Sequence, residues 1–202
     1  MRSADAYGDL LRMGRPVVTT GEAAARWGAE QRTAGRRLRV LGEAGLIRRM
    51  RRGLWALDPA VAPFALAPYL TAPFPAYVSL WSALSHHGLI EQIPGRISVA
   101  SLDRAHRIAT SVGVYEVHRI APELFGGYRG SEEEGFLATP EKALFDIVYV
   151  RAASGSQAYF PELTLPADFS RERIEQWIGR IAAPRLQTLV SRRLGEVLDA
   201  SE

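Results

Sequence analysis

Over the first 57 residues, apolar side chains fall into short helical groups punctuated by glycine and proline. Asp5 to Met13 carries Leu10, Leu11 and Met13 ahead of Gly14-Arg15-Pro16, which predicts a short helix and its stop. Thr19-Thr20-Gly21-Glu22 has capping-box spacing, so a second helix should start near Thr20 and run through Ala23, Ala24, Ala25 and Trp27. Gly28 supplies a turn. A third helix is predicted from about Glu30 to Ala44, where Gly45 ends it. On it, Ala34, Leu38 and Leu41 share one face while Arg32, Arg36 and Arg39 share the other. Leu46-Ile47-Arg48-Arg49-Met50 and Leu54-Trp55-Ala56-Leu57, joined by Arg51-Arg52-Gly53, read as a β-hairpin with a basic tip.

The pattern then changes. Pro59, Pro63, Pro68, Pro73 and Pro75 crowd the stretch 58–76, predicting an extended, semi-rigid linker. Phe64, Leu66, Tyr69 and Leu70 make part of it apolar enough to pack or to form one short helix. Beyond it, Ser79 and Gly88 bracket a two-turn helix, and Ile97–Ala100 and Val114–Ile120 alternate like strands. Thr139 and Pro140 open another helix that turns Ala143, Leu144, Phe145, Ile147 and Val148 inward. Ile174 to Ile181 and Leu186 to Leu198 keep helical spacing on either side of Pro184. The predicted class is α+β: a winged helix-turn-helix over 1–57, a linker over 58–76, and a mixed α/β domain over 77–202. A fragment starting near Pro75 is expected to fold alone, and one ending near Pro63 to retain DNA binding.

Charge sharpens this division. Twelve arginines oppose five acidic residues in 1–57, a formal +7, whereas 58–202 carries 13 basic and 17 acidic groups, or −4. Two regions of opposite sign suggest different partners. Only Lys142 among the 25 basic residues is lysine, a bias that codon usage explains as well as function does, so placement rather than number points to a partner. A helix with one packing face and one cationic stripe, followed by a basic hairpin, suits a DNA major groove and its phosphates. The candidate DNA-binding residues are therefore Arg32, Arg36, Arg37, Arg39, Arg51 and Arg52. Arg48 and Arg49 lie in the hairpin strand, where alternation should send one inward or along the edge. Trp27 and Trp55 are assigned to packing.

At 202 residues and 47% apolar content, one or two small cores can be buried. The absence of cysteine excludes disulfides and thiolate metal sites and fits a reducing cytoplasm. The N-terminus lacks the apolar core of a signal peptide, and no apolar run reaches the roughly 18 residues of a membrane span. A cytoplasmic protein without a membrane partner is expected.

Tyr77 to Ile90, the Arg96–Ala100 strand and Ala138-Thr139-Pro140-Glu141-Lys142-Ala143-Leu144-Phe145-Asp146 together resemble the AbiEi-type antitoxin family of abortive-infection toxin–antitoxin systems. The likeness covers roughly Asp5 to Val150 and is most specific at Ser82-Ala83-Leu84, His87-Gly88-Leu89-Ile90 and the Thr-Pro-Glu-Lys-Ala block. His86 stands where relatives commonly carry an aromatic residue, and the likeness loosens after Val150. The resemblance implies an N-terminal winged helix that represses its own operon. It also implies a C-terminal domain that counteracts a nucleotidyltransferase-like toxin, with an oligomer on DNA compatible with both roles.

Enzymatic readings are weaker. Adjacent His86 and His87 point about 100° apart on a helix and cannot form the i, i+4 chelate, so no metal and no cofactor are expected. Glu141, Lys142 and Asp146 resemble a nuclease set, but a first-turn glutamate beside an N1 proline is ordinary helix chemistry. Glu132-Glu133-Glu134 reads as a solvated loop, or as a contact for a basic partner surface. No phosphate loop, nucleophile elbow or triad occurs, so no catalytic residue is assigned. The rival readings are a winged-helix regulator whose second domain senses a small ligand, and a nucleic-acid hydrolase.

Overall fold

A computed structural model describes residues 3–160 and 162–201; Arg2, one of the twelve N-terminal arginines, lies outside them. The chain begins with α1 (Ser3–Leu11), β1 (Val17–Thr19), α2 (Thr20–Arg26) and α3 (Gln31–Glu43), followed by β2 (Arg48–Arg51) and β3 (Leu54–Ala56). The capping box is present: the Glu22 amide donates to Thr19 Oγ1 at 3.1 Å, and the Thr19 amide donates to the Glu22 carboxylate at 2.7 Å. Val17–Thr19, just ahead of α2, carries no strand signal of its own in the sequence. It is nonetheless a third strand, pairing antiparallel with β3 to give the order β1-β3-β2. The sheet closes over the helices through Leu10, Val18, Ala23, Leu38, Leu41, Ile47 and Trp55, with the Trp55 indole donating to Thr20 Oγ1 at 3.2 Å.

Partial burial by itself would raise the Glu22 carboxyl. Hydrogen bonds from the Thr19 amide and hydroxyl, together with the Arg15 guanidinium 2.9 Å away, outweigh it and hold the group below its usual 4.5. A carboxyl depressed on folding stabilises the fold above its unfolded value, and that stability is lost as pH falls through the folded one. Thr19→Ala should therefore cost about 1 kcal/mol at neutral pH in urea unfolding. The difference from wild type should shrink below about pH 4. An unchanged difference at low pH would contradict this account of the cap.

The proline-rich stretch is not extended throughout: as its apolar residues suggested, part of it is helical and packs. Pro63–Leu66 forms a 3-10 turn that continues into α4 (Ala67–Thr71), and β4 (Ala76–Val78) follows. Then come α5 (Leu80–His86), β5 (Ile97–Ser101), β6 (His106–Thr110), β7 (Gly113–Arg119), β8 (Tyr128–Ser131), β9 (Gly135–Ala138), α6 (Pro140–Ala153), α7 (Arg171–Ile178) and α8 (Pro184–Asp199). The second sheet is mixed, in the order β6-β7-β5-β4-β9-β8, with parallel pairs β5/β7 and β4/β9. The fold is α+β.

Strand alternation divides this sheet into two faces, and both are buried. Tyr77 and Ala100 join a core with α5, α6, α7 and α8. Ala76, Val78, Val99, Tyr115 and Val117 join another, whose cover is Ala65, Leu66 and Leu70 of the connector together with Val17, Met50, Leu54 and Ala56 of the first sheet. Polar contacts tie the same seam: Arg48 donates to the Ser111 carbonyl at 2.9 Å, and the Ser111 amide to the Met50 carbonyl at 2.9 Å. The two halves thus share one of these apolar cores, and a second half cut free keeps the core under α5–α8 but loses the cover of the other sheet face. Each core side chain uncovered forfeits roughly 1.5–3 kcal/mol, against a total stability of about 5–15 kcal/mol. A fragment beginning at Pro75 should therefore show no cooperative thermal transition by circular dichroism, whereas the full chain should. A sharp transition for the fragment would overturn the shared core.

Candidate nucleic-acid interface

α3 buries Ala34, Leu38 and Leu41 and exposes Arg32, Arg36 and Arg39. Gly42 lets the helix approach the hairpin, since a Cβ there would sit 3.3 Å from the Trp55 ring. The turn linking β2 to β3 carries Gly53 at φ 80°, a left-handed conformation that suits glycine, and it leaves Arg52 exposed. Arg32, Arg36, Arg39 and Arg52 make no ion pair or side-chain hydrogen bond among the described residues. Between helix and hairpin runs a cleft of about 500 Å³ lined by Arg39, Arg48, Arg49 and Trp55.

Not every candidate arginine is equally available. Arg37 is half-buried, its guanidinium 5.8 Å from the centre of the Trp27 ring, a cation–π contact that orders the helix face. Arg51 turns away from the tip and donates to the Leu70 carbonyl at 3.5 Å, toward the connector. Arg48 is held at the seam with Ser111, and Arg49 lies 5.9 Å over Trp55. A register shift between Arg49 and Arg51 leaves both Arg48 and Arg49 exposed while Met50 alone points inward, so simple alternation misplaces this strand. Elsewhere in the module, Arg12 pairs with Asp9 and Arg15 with Glu22.

The Glu141, Lys142 and Asp146 set lies on α6 in the core shared with α5, α7 and α8, not on this surface. Lys142 and Asp146 form an ion pair with both side chains 0% exposed. Asp146 also accepts from Tyr77 Oη at 3.0 Å and Ser79 Oγ at 2.7 Å. The ammonium sits 4.6 Å from the Trp177 ring centre and 5.0 Å from that of Phe145. Burial pulls the Lys142 ammonium below the usual lysine range, against the attraction of Asp146, and burial pushes the Tyr77 hydroxyl far up. Gly127 makes room for this cluster, since a Cβ there would lie 2.6 Å from Trp177 and 2.9 Å from Lys142. Glu141 accepts from Arg173 Nη1 at 3.0 Å and from the Ser170 amide at 3.2 Å, tying α6 to α7. Sequence grouped Lys142 and Asp146 on one helix; it could not show which aromatics enclose them.

His86 and His87 lie with ring centres 5.7 Å apart and nearly perpendicular planes, and His87 Nε2 donates to the Ala138 carbonyl at 2.7 Å. Among the described residues no group of three or more histidine or carboxylate side chains is placed to hold a metal ion. Glu132, Glu133 and Glu134 are exposed in the turn between β8 and β9. No helix among the described residues is long and apolar enough to cross a membrane. No family model matches the chain, and a search of curated proteins finds no match.

Proposed function

We propose that the N-terminal helices and three-stranded sheet are a winged helix-turn-helix that binds double-stranded DNA, with α3 in the major groove and the β2–β3 turn as the wing. The observation that carries this reading is the set of exposed guanidiniums on α3 and at the turn, Arg32, Arg36, Arg39 and Arg52, none of them partnered among the described residues. Such guanidiniums can pair with phosphate without breaking an internal ion pair, and they offer forked donors to guanine edges. Arg37 and Arg51 support this surface from its margins.

The biological role we propose is that of an antitoxin: a repressor of its own operon whose second half counteracts a nucleotidyltransferase-like toxin encoded beside it. The resemblance at Ser82–Ile90 and Ala138–Asp146 supports this role. In the fold those stretches form α5 and the opening of α6, which pack in one core. Co-expression with the adjacent reading frame tests the role. Arg36→Ala with Arg39→Ala should release the promoter yet still protect cells at matched protein levels, because both side chains are exposed and lie on α3, outside the core under α5–α8. Loss of protection in a folded, promoter-released double variant would confine the function to repression.

A further inference from the structure

A cleft of about 560 Å³ opens beside the start of α6, in the size range of small-molecule sites. Glu141 forms part of its wall and is 2% exposed; its Oε1 takes the bonds from Arg173 and Ser170, whereas Oε2 is buried with no hydrogen-bond partner among the described residues. A buried carboxylate oxygen without a donor is costly and marks a place where an N–H or O–H belongs. On another wall, the rings of Phe64 and His86 lie 5.5 Å apart at 57° and line the same cleft. A third feature is Arg129, an exposed guanidinium of the lining that makes no ion pair or side-chain hydrogen bond among the described residues. Hydrogen-bond acceptor, aromatic surface and free guanidinium are the three elements that recognise a base edge, a base face and a phosphate.

We infer that this cleft binds a nucleoside monophosphate: an N–H of the base donates to Glu141 Oε2, the base lies against Phe64 and His86, and the phosphate pairs with Arg129. Two further carboxylates, Glu134 and Asp168, line the cleft, which disfavours a polyphosphate chain. Phe64 belongs to the connector, and Gly135 presses on its backbone so closely that a Cβ there would fall 2.4 Å from the Phe64 carbonyl carbon. The ligand would therefore sit against the segment that leads back to the N-terminal module. Nucleotide binding here needs no DNA and is measured without it.

Isothermal titration calorimetry on the full chain, with AMP, GMP, ATP, adenosine and inorganic phosphate as probes, tests it. AMP or GMP should bind at least about tenfold more tightly than adenosine, phosphate or ATP, a difference of roughly 1.4 kcal/mol. His86→Ala and Arg129→Ala, both at exposed positions, should each weaken the nucleotide by about fivefold or more. Glu141→Gln keeps a carbonyl for Arg173 and Ser170 but turns an amide N–H toward the donor of the base, and it should weaken binding at least about tenfold. Circular dichroism checks that each variant is folded. Absence of saturable heat from AMP and GMP up to about 1 mM, or binding that His86→Ala and Arg129→Ala both leave unchanged, overturns the inference.

Discussion

Asp146→Ala should destabilise the protein by about 3–5 kcal/mol, the cost of removing one partner from a buried ion pair. Both members of the pair are wholly enclosed, so the Lys142 ammonium would be left among Tyr77, Phe145 and Trp177 without a counter-charge. The hydroxyls of Tyr77 and Ser79 would lose their acceptor as well. For a chain of this length the loss corresponds to a fall in melting temperature of roughly 6–20 °C. Replacing both charges, as Lys142→Met with Asp146→Ala, should recover part of it, because two absent charges cost less than one stranded charge. Since Lys142 is the only lysine, an amine-reactive reagent offers an independent reading: its side chain should resist labelling in the folded wild type and react in Asp146→Ala. A single variant within about 1 kcal/mol of wild type would contradict the enclosed pair.

Replacing Arg32, Arg36, Arg39 and Arg52 together by alanine should weaken binding to the protein's own promoter DNA by roughly 10²–10³-fold at near-physiological salt, about 3–4 kcal/mol. All four side chains are exposed, so no cavity forms and the melting temperature should change little. Arg51→Ala alone should have a smaller effect on affinity than Arg52→Ala, because the Arg51 guanidinium is turned to the Leu70 carbonyl. Fluorescence anisotropy with promoter and scrambled duplexes separates the roles. Arg52→Ala should weaken both duplexes alike, whereas a variant on α3 that loses a bidentate guanine contact should lose about 1–3 kcal/mol on the promoter only. Equal losses on both duplexes at all four positions would mean that α3 does not read bases.

Local signals in the chain reached the elements that local chemistry determines. Thr19 with Glu22, and Thr139 with Pro140, each start a helix where their spacing says they should, because a cap is a contact within one turn. The split face of α3 was equally readable, since helical period sorts side chains without reference to anything distant. β4 was not legible: three residues just past Pro73 and Pro75 carry too little alternation, and they form a strand because β5 and β9 flank them. The β8–β9 hairpin was hidden by Glu132, Glu133 and Glu134, which read as loop and are its turn. The connector was legible in part: its apolar residues implied packing or a short helix, but not the surface they cover. A two-sided sheet needs a second cover, and only the tertiary arrangement shows that residues 61–70 and the first sheet supply it. The candidate site divides in the same way: the helix arginines were readable from period, whereas Arg51 and Arg48 were redirected by partners 19 and 63 residues away.

The salt dependence of promoter binding tests the central proposal most directly. Each phosphate neutralised contributes about −0.9 to the slope of log affinity against log salt, so a wild-type protein making about 4 to 6 contacts per module should give roughly −4 to −5. The four-arginine variant should flatten that slope by about 3. A wild-type slope near zero, or a steep slope that the four substitutions leave unchanged, would contradict DNA binding through α3 and the β2–β3 turn.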